Sequence, residues 1–398
     1  MNRIYLDHAA TTPLRPEVRQ AMEPYEVAHY GNPSSLHARG RAARAGLDDA
    51  RDRLAQILGC RAGEIIFTSG GTEADNLALI GVSEAHPHQP LWISAVEHRA
   101  VLDAAAYLRD RRGVPVHEIP VDHQGRVQVE WVLDHVTPDT ALVSVMYVNN
   151  EIGTVEPIRV LGQALRERGI LFHVDAVQAA EYFPLADLPC DLLSLSAHKF
   201  GGPKGAGLLR IRRDVEIVPL LHGGGQERER RPGTENVAGM VGMATALELA
   251  AEERELAAAR VASLRDRLLA HLRQALPDTR VYGPLAQADA ASPPETSEGA
   301  PSDTSPSILC VGWPGITGET MVVALDLAGV EVSSGAACSA GSLAPSHVLK
   351  ALGLEAQEAA GGVRFSLGRE TTREEVDEAA RRVIETVERL RERQRRGD

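Results

Sequence analysis

Between residues 64 and 212 short β-rich runs alternate with helically spaced segments, a rhythm that few architectures accept. The runs are EIIFTS, LWISAV, VPVHEIPV, ALVSVMYV, ILFHVD, DLLSLS and GLLRIR. Several are apolar on both faces, as strands are when helices cover each side of their sheet. Between them TEADNLALIGV, RAVLDAAAYLRDR and IRVLGQALRERG carry apolar side chains at helical spacing and mostly close on Gly or Arg. The alternation predicts an α/β fold whose large domain has a mostly parallel, seven-stranded sheet covered by helices. Ligands of such sheets bind outside the carboxyl ends of the strands. Polar residues standing where a β-run stops are therefore the first candidates for chemistry.

An apolar stripe of Ala43, Leu47, Ala50, Leu54 and Ile57 predicts a helix that leads into the sheet and stops at Gly59. Residues 235–276 read as mainly helical and carry the chain into a smaller α+β domain. Its last helix starts at Thr372, with Glu375 completing a capping box and Val376, Ala380, Val383, Val387 and Leu390 forming one apolar face. A chain of 398 residues is long enough for two domains. The expected division is 15–255 for the large one, and 1–14 with 256–398 for the small one. Residues 285–306 are rich in Pro, Ser, Ala and acids, have little to bury, and read as a disordered surface insertion.

The net charge of −13 opposes binding to nucleic acid or to an anionic membrane, since both need a local excess of Lys and Arg. No apolar run approaches the roughly 18 to 20 residues of a membrane span. MNRIYLDHAATTP lacks the apolar core of a secretion signal. Cys60, Cys190, Cys310 and Cys338 are widely separated without a CxxC pair, neither a disulfide framework nor a structural zinc pattern. A reducing, cytoplasmic setting without a metal site is expected.

FTSGGTEADN sets Gly70 and Gly71 between a strand and a helix beginning near Thr72. That exposes backbone N–H groups and the positive end of a helix dipole, where a phosphate would sit, although a Gly-Gly pair also makes an ordinary tight turn. Asp175 ends ILFHVD, with Gln178 one helical turn on. A carboxylate there suits a salt bridge to a pyridinium nitrogen or a cap on the following helix. DLLSLS runs into Ser196, His198 and Lys199. An amine so placed can form a Schiff base with an aldehyde cofactor, whereas an isolated Lys after a strand is commonly a solvated loop residue. His98 ends another strand, where an imidazole can stack on a flat cofactor and shuttle protons, or hold a turn by a hydrogen bond. Asn150 adds an amide able to donate to a ring oxygen. The glycine turn, the acid and the lysine recur at the ends of neighbouring strands, and that convergence favours one shared ligand.

In the second domain SSGAACSAGS surrounds Cys338 with small residues. The backbone is free to move and the thiol is not packed among large apolar neighbours, which suits a travelling nucleophile and equally an inert loop cysteine. Cys310 in SILCVGW and Cys190 before DLLSLS read as core thiols. Arg364 in VRFSLGR can clamp a carboxylate with its fork of donors, or pair with a neighbouring acid.

In chain order YLDHAATTP, GNPSSLHARG, FTSGGTEADNLA, VEHRAVLD, VNNEIG, HVDAVQ, SAHKFGGPKG, HGGGQERERRPGTEN, SSGAACSAGSLAPSHVLKALG and RFSLGR resemble the cysteine desulfurases of the NifS/IscS type. These are class-V aminotransferases with the fold-type I arrangement of pyridoxal-phosphate enzymes. The resemblance covers nearly the whole chain outside the insertion. It implies pyridoxal 5′-phosphate joined to Lys199, with Asp175 on the pyridine nitrogen and His98 stacked on the ring. Gly71, Thr72, Gln178, Ser196 and His198 would hold the phosphate or the phenolic oxygen, with Asn150 near the cofactor and the substrate. Thr234 matches a residue that reaches the phosphate of the other subunit, which implies a homodimer. Arg364 would bind the carboxylate of the substrate, L-cysteine, and Cys338 would take its sulfur as a persulfide, leaving alanine. A sulfur-acceptor protein would follow, such as an iron–sulfur scaffold or a tRNA-thiolating enzyme. Ala336 and Ser339 depart from the family's usual SSGSACT loop. A selenocysteine lyase or an aminotransferase of the same fold would keep Lys199 and Asp175 but need not possess Cys338. A metal- or nucleotide-binding module on His98, His173, Asp175 and His198 would lack the compact spacing of HExxH or CxxC.

Overall fold

The computed structural model describes residues 3–287, 303–334 and 345–396. All seven β-rich runs form strands of one sheet: β1 (Ile65–Thr68), β2 (Leu91–Ser94), β3 (Val116–Ile119), β4 (Leu142–Ser144), β5 (Phe172–Asp175), β6 (Leu192–Ser196) and β7 (Gly207–Ile211). Their spatial order is β1-β7-β6-β5-β4-β2-β3. The strands from β3 to β6 are parallel, and β7 is antiparallel to both of its neighbours. The carboxyl ends of β5 and β6 lie side by side, with Asp175 opposite Ser194.

Alternate residues of these strands serve opposite faces. Ile66, Leu142, Leu192 and Leu209 meet Leu77, Leu79, Val101 and Leu108 of α2 (Gly71–Ala85) and α3 (Arg99–Arg112). Phe67, Val143, Leu193 and Leu208 join the other core with α1 (Ala38–Leu58), α4 (Ile158–Glu167) and α5 (Val237–Ala275). Every residue of β1, β2, β4, β5, β6 and β7 is buried, which is why these strands read as continuous apolar runs. β3 lies at the sheet edge and exposes His117 and Glu118.

The expected first helix is α1, and it stops at Gly59. α6 (Arg373–Arg396) opens with the expected capping box: Glu375 N–H donates to Thr372 Oγ1 at 3.1 Å, and Thr372 N–H to the Glu375 carboxylate at 2.9 Å. A second, antiparallel sheet contains β8 (Arg280–Tyr282), β9 (Ile308–Gly312), β10 (Ser333–Ser334) and β11 (Val363–Ser366), in the order β10-β11-β9-β8. The flanks of the 285–306 insertion are folded, contrary to the expectation from composition. Leu285 is buried in the turn Pro284–Gln287, and Ser305 N–H donates to Gly153 O at 2.7 Å. A buried apolar side chain on one flank and backbone bonds to Gly153 and Val155 on the other supply what the Pro, Ser and acid content lacks; residues 288–302 lie outside the described residues. Among the described residues no helix is long and apolar enough to cross a membrane.

The N-terminal segment bridges the two sheets. His8 N–H donates to Ser366 O at 3.1 Å, and Thr12 N–H to His198 O at 2.9 Å. The start of β7 presses on the glycine turn after β1: a Cβ on Gly207 would stand 2.6 Å from the Gly70 Cα and 2.7 Å from its carbonyl carbon. Backbone atoms cannot rotate away as a flexible side chain would. Gly207→Ala is therefore expected to lower stability by about 1–3 kcal/mol, measured as an earlier urea midpoint; an unchanged midpoint would mean that the two segments separate freely.

Candidate active site

Several separate stretches of chain converge on a cavity of about 500 Å³ at the carboxyl ends of β5 and β6. The turn after β1 contributes Gly71 and Thr72, the first residues of α2, and no side chain caps the N–H groups there. A Cβ on Gly71 would meet Val177 Cγ2 at 2.9 Å, so glycine lets this helix start approach the ends of β5 and β6. β5 delivers Asp175 and then Gln178; β6 delivers Ser196, with His198 and Lys199 in the short turn Ala197–Lys199. His98 follows β2, Asn150 follows β4, and Arg364 comes from β11 in the second sheet. All of these expected site residues line the one cavity. Thr234 does not: it is exposed and is not part of this wall. Cys338 lies outside the described residues, but Ser333, which pairs in register with Arg364 shortly before it in the chain, lines the cavity edge.

Lys199 Nζ donates to Ala9 O at 2.5 Å and to Ala10 O at 3.0 Å, and Gln178 Nε2 donates to Ala9 O at 2.8 Å. Asp175 accepts the Val177 N–H at 2.9 Å, the turn-capping role that its position after a strand left open. Burial pushes the Asp175 carboxyl above its ordinary range, while the Val177 N–H and Lys199 pull it down. His98 Nδ1 accepts the Ala100 N–H at 3.1 Å and so caps α3, which leaves the ring proton on Nε2 in the neutral form. Burial first, then Lys199, lowers its pKa to about 4. His198 Nδ1 lies 3.1 Å from Thr11 Oγ1 and is held down to about 4 by burial and then by Lys199. Arg364 is buried, giving one Nη to Asp7 and the other to Asn150 O, each at 2.8 Å, while its Nε has no hydrogen-bond partner.

Sequence reasoning does not nominate Asp7, Ala9, Ala10, Asp75 or Ser333, which also line the cavity. DHAATT carries a signal for the first three, because a run without bulk can lie across strand ends with its carbonyls available. Asp75 has none, since within TEADNLALIGV it is one polar helix position among several. Among the described residues no group of three His, Cys, Asp or Glu is placed to hold a metal ion. The burial of His98 makes a direct prediction. Its imidazole resonances in the cofactor-free protein should titrate with a midpoint near 4, and a midpoint at the ordinary value of about 6.5 would contradict the buried, neutral ring.

Residues 4–379 match the aminotransferase class-V family. The cysteine desulfurase IscS of Dictyoglomus turgidum is 42% identical over 392 residues, spanning 98% of this chain and 95% of its own length. A solved NifS-like protein superimposes with a TM-score of 0.87 at 36% identity, covering 97% of this chain and 99% of its own. The structure of SspA in complex with cysteine gives a TM-score of 0.77 at 30% identity, over 93% of this chain and all (100%) of its own. With that similarity running from end to end, the chain belongs to the class-V aminotransferases, among their pyridoxal-phosphate-dependent cysteine desulfurases of the IscS/NifS type.

Proposed function

We propose that this chain transfers the sulfur of free L-cysteine to Cys338 as a persulfide and releases alanine, using pyridoxal 5′-phosphate held at Lys199. One observation carries the reading: an uncapped helix start, a buried carboxylate and an amine share one cavity. The residues fit the cofactor. Gly71 and Thr72, with Ser196 and His198, suit a phosphate; Asp175 suits a cationic ring nitrogen; the neutral ring of His98 offers a flat face, and Gln178 and Asn150 offer amides. When bound, the cofactor supplies an electron sink for the α-carbon of the substrate.

The remaining chemistry falls to the protein. Arg364 receives the substrate carboxylate, which takes over the guanidinium nitrogen now occupied by Asp7. Asn150, whose carbonyl orients Arg364, borders the same subsite. Lys199 Nζ moves a proton at the α-carbon, and His98 keeps a proton on Nε2. The Cys338 thiolate attacks the substrate sulfur: the S–S bond forms as the Cβ–S bond breaks and Cβ gains a proton, so that cysteine plus thiol balances alanine plus persulfide. The relative solved with cysteine supports this substrate. Ser333 at the cavity edge supports the approach of the segment that carries Cys338.

The same reading makes the protein a homodimer: Thr234 is exposed and does not line its own cavity, as suits a residue that completes the partner's phosphate site. The persulfide then passes to a sulfur-acceptor protein, an iron–sulfur scaffold or a tRNA-thiolating enzyme. Cys60, Cys190 and Cys310 are unpaired, which supports a reducing, cytoplasmic setting. The cofactor-binding unit is 15–255, and 1–14 with 256–398 form the second unit; pairing of Ile4–Tyr5 with Val330–Glu331 supports that grouping. The test is Lys199→Ala. The purified variant should lose the yellow band that borohydride removes, and alanine and sulfide formation from cysteine should fall at least about 100-fold. A band that stays reducible, with activity near wild type, would overturn the assignment.

A further inference from the structure

Asp75 is a buried acid for which the proposed chemistry has no task. It stands on α2, 1% exposed, in the cavity wall that also holds Asp175. Its carboxyl is hydrogen-bonded by Ser194, but its Oδ1 has no hydrogen-bond partner. His173 Nε2 lies 3.6 Å from that oxygen. The imidazole is fixed between Ser144 Oγ, 2.9 Å from Nδ1, and Ser194 Oγ, 3.0 Å from Nε2, and burial drives its pKa down to about 3, so it supplies no charge. Among the described residues Asp75 forms no ion pair with Arg or Lys.

Two further acids share this ground. Glu97, in the turn after β2, accepts the Met146 N–H at 2.6 Å through Oε1, and its Oε2 has no partner. Asp175 is the acid that both a backbone N–H and Lys199 stabilise as a carboxylate. Like charges crowded into one dry site cannot all ionise, and the charge settles where donors and cations favour it. Burial and the charge of Asp175 push Asp75 and Glu97 well above the ordinary carboxylate range.

We propose that Asp75 stands as a neutral carboxylic acid beside Asp175, leaving the negative charge of the cluster on Asp175, and so acts as a positioning residue for the ring nitrogen that Asp175 receives. The proposal rests on the reading of Asp175 as the partner of that nitrogen. Ser194, which hydrogen-bonds Asp75 and lies 3.0 Å from His173 Nε2, is the register partner of Asp175 between β5 and β6. Its position resembles that of acids which other enzymes keep protonated by apolar burial so that they donate rather than repel.

Infrared spectra of the full-length, cofactor-free protein test the protonation state. At about pH 8, far above the ordinary Asp value of about 3.9, the difference between wild type and Asp75→Asn should contain the carbonyl band of one protonated carboxyl; loss of a carboxylate band instead would overturn the proposal. Thermal unfolding gives a second reading. An acid whose folded pKa is raised costs stability as pH climbs above its unfolded value, so Asp75→Asn should melt higher than wild type at about pH 8, and the gap should close towards about pH 4. A lower melting temperature at the higher pH would count against a neutral Asp75. In the loaded protein, Asp75→Leu should move the pH midpoint of the visible band by about one unit and Asp75→Asn should restore it; an equal shift in both variants would deny the positioning role. The first two measurements need no cofactor, so they stand or fall independently of the result for Lys199→Ala.

Discussion

The site depends on a short segment without bulk, Asp7 to Thr12, laid across the gap between the two sheets. At one end its backbone bonds Ser366 of β11; at the other, Thr12 bonds His198 O and accepts the Gly201 N–H. Buried peptide groups must find partners, and here the partners are the site itself. Ala9 O and Ala10 O receive Lys199 Nζ, Ala9 O also receives Gln178, and Asp7 holds Arg364. A lysine from one sheet and an arginine from the other are thereby brought to one cavity. Ala9 and Ala10 line that cavity, so larger side chains there would occupy space meant for a ligand.

Charge inside the cavity is sorted by burial rather than by sequence. His98 and His198 are neutral at physiological pH because burial and Lys199 both disfavour a second cation. Described residues on either side of the stretch holding Cys338 are tied near the same ground. Ser333 pairs with Arg364, and Ser346 Oγ donates to Glu151 at 2.6 Å, next to Asn150. His347 adds a contact of 2.9 Å to Glu97 O. Residues on both sides of that stretch are thus held close to Arg364 and Asn150, which line the cavity.

What the residues made legible follows from what each position depends on. The seven strands were readable because burial on both faces leaves continuous apolar runs, and the capping box of α6 is a purely local device. Lys199, Asp175 and His98 were readable because strand order places strand ends together. The helix Pro16–Val27 was not, since only Val18 is buried along it and Pro24 interrupts its pattern. Asp75 and Asp7 were missed for a different reason: their surroundings are made by tertiary approach, from β5 and β6 in one case and β11 in the other. Leu285 and Ser305 were misjudged because composition averages over a stretch, whereas a single buried side chain or backbone bond fixes a flank. The role expected of Thr234 rests on resemblance alone, whereas Cys338 is also marked by the small residues of SSGAACSAGS around it.

The central claim is that Cys338, and none of the other three cysteines, receives the sulfur. Cys190 and Cys310 are buried, with thiols pushed up by burial, and Cys60 is likewise pushed up to about 11. The decisive measurement is to incubate Cys338→Ala with cysteine while following the visible spectrum, the protein-bound persulfide and alanine together. The spectrum should still respond to cysteine, since Lys199, Asp175 and Arg364 are intact, while persulfide is absent and alanine formation nearly stops. Alanine and sulfide formed at the wild-type rate would contradict the claim and leave a selenocysteine lyase or an aminotransferase as the better description.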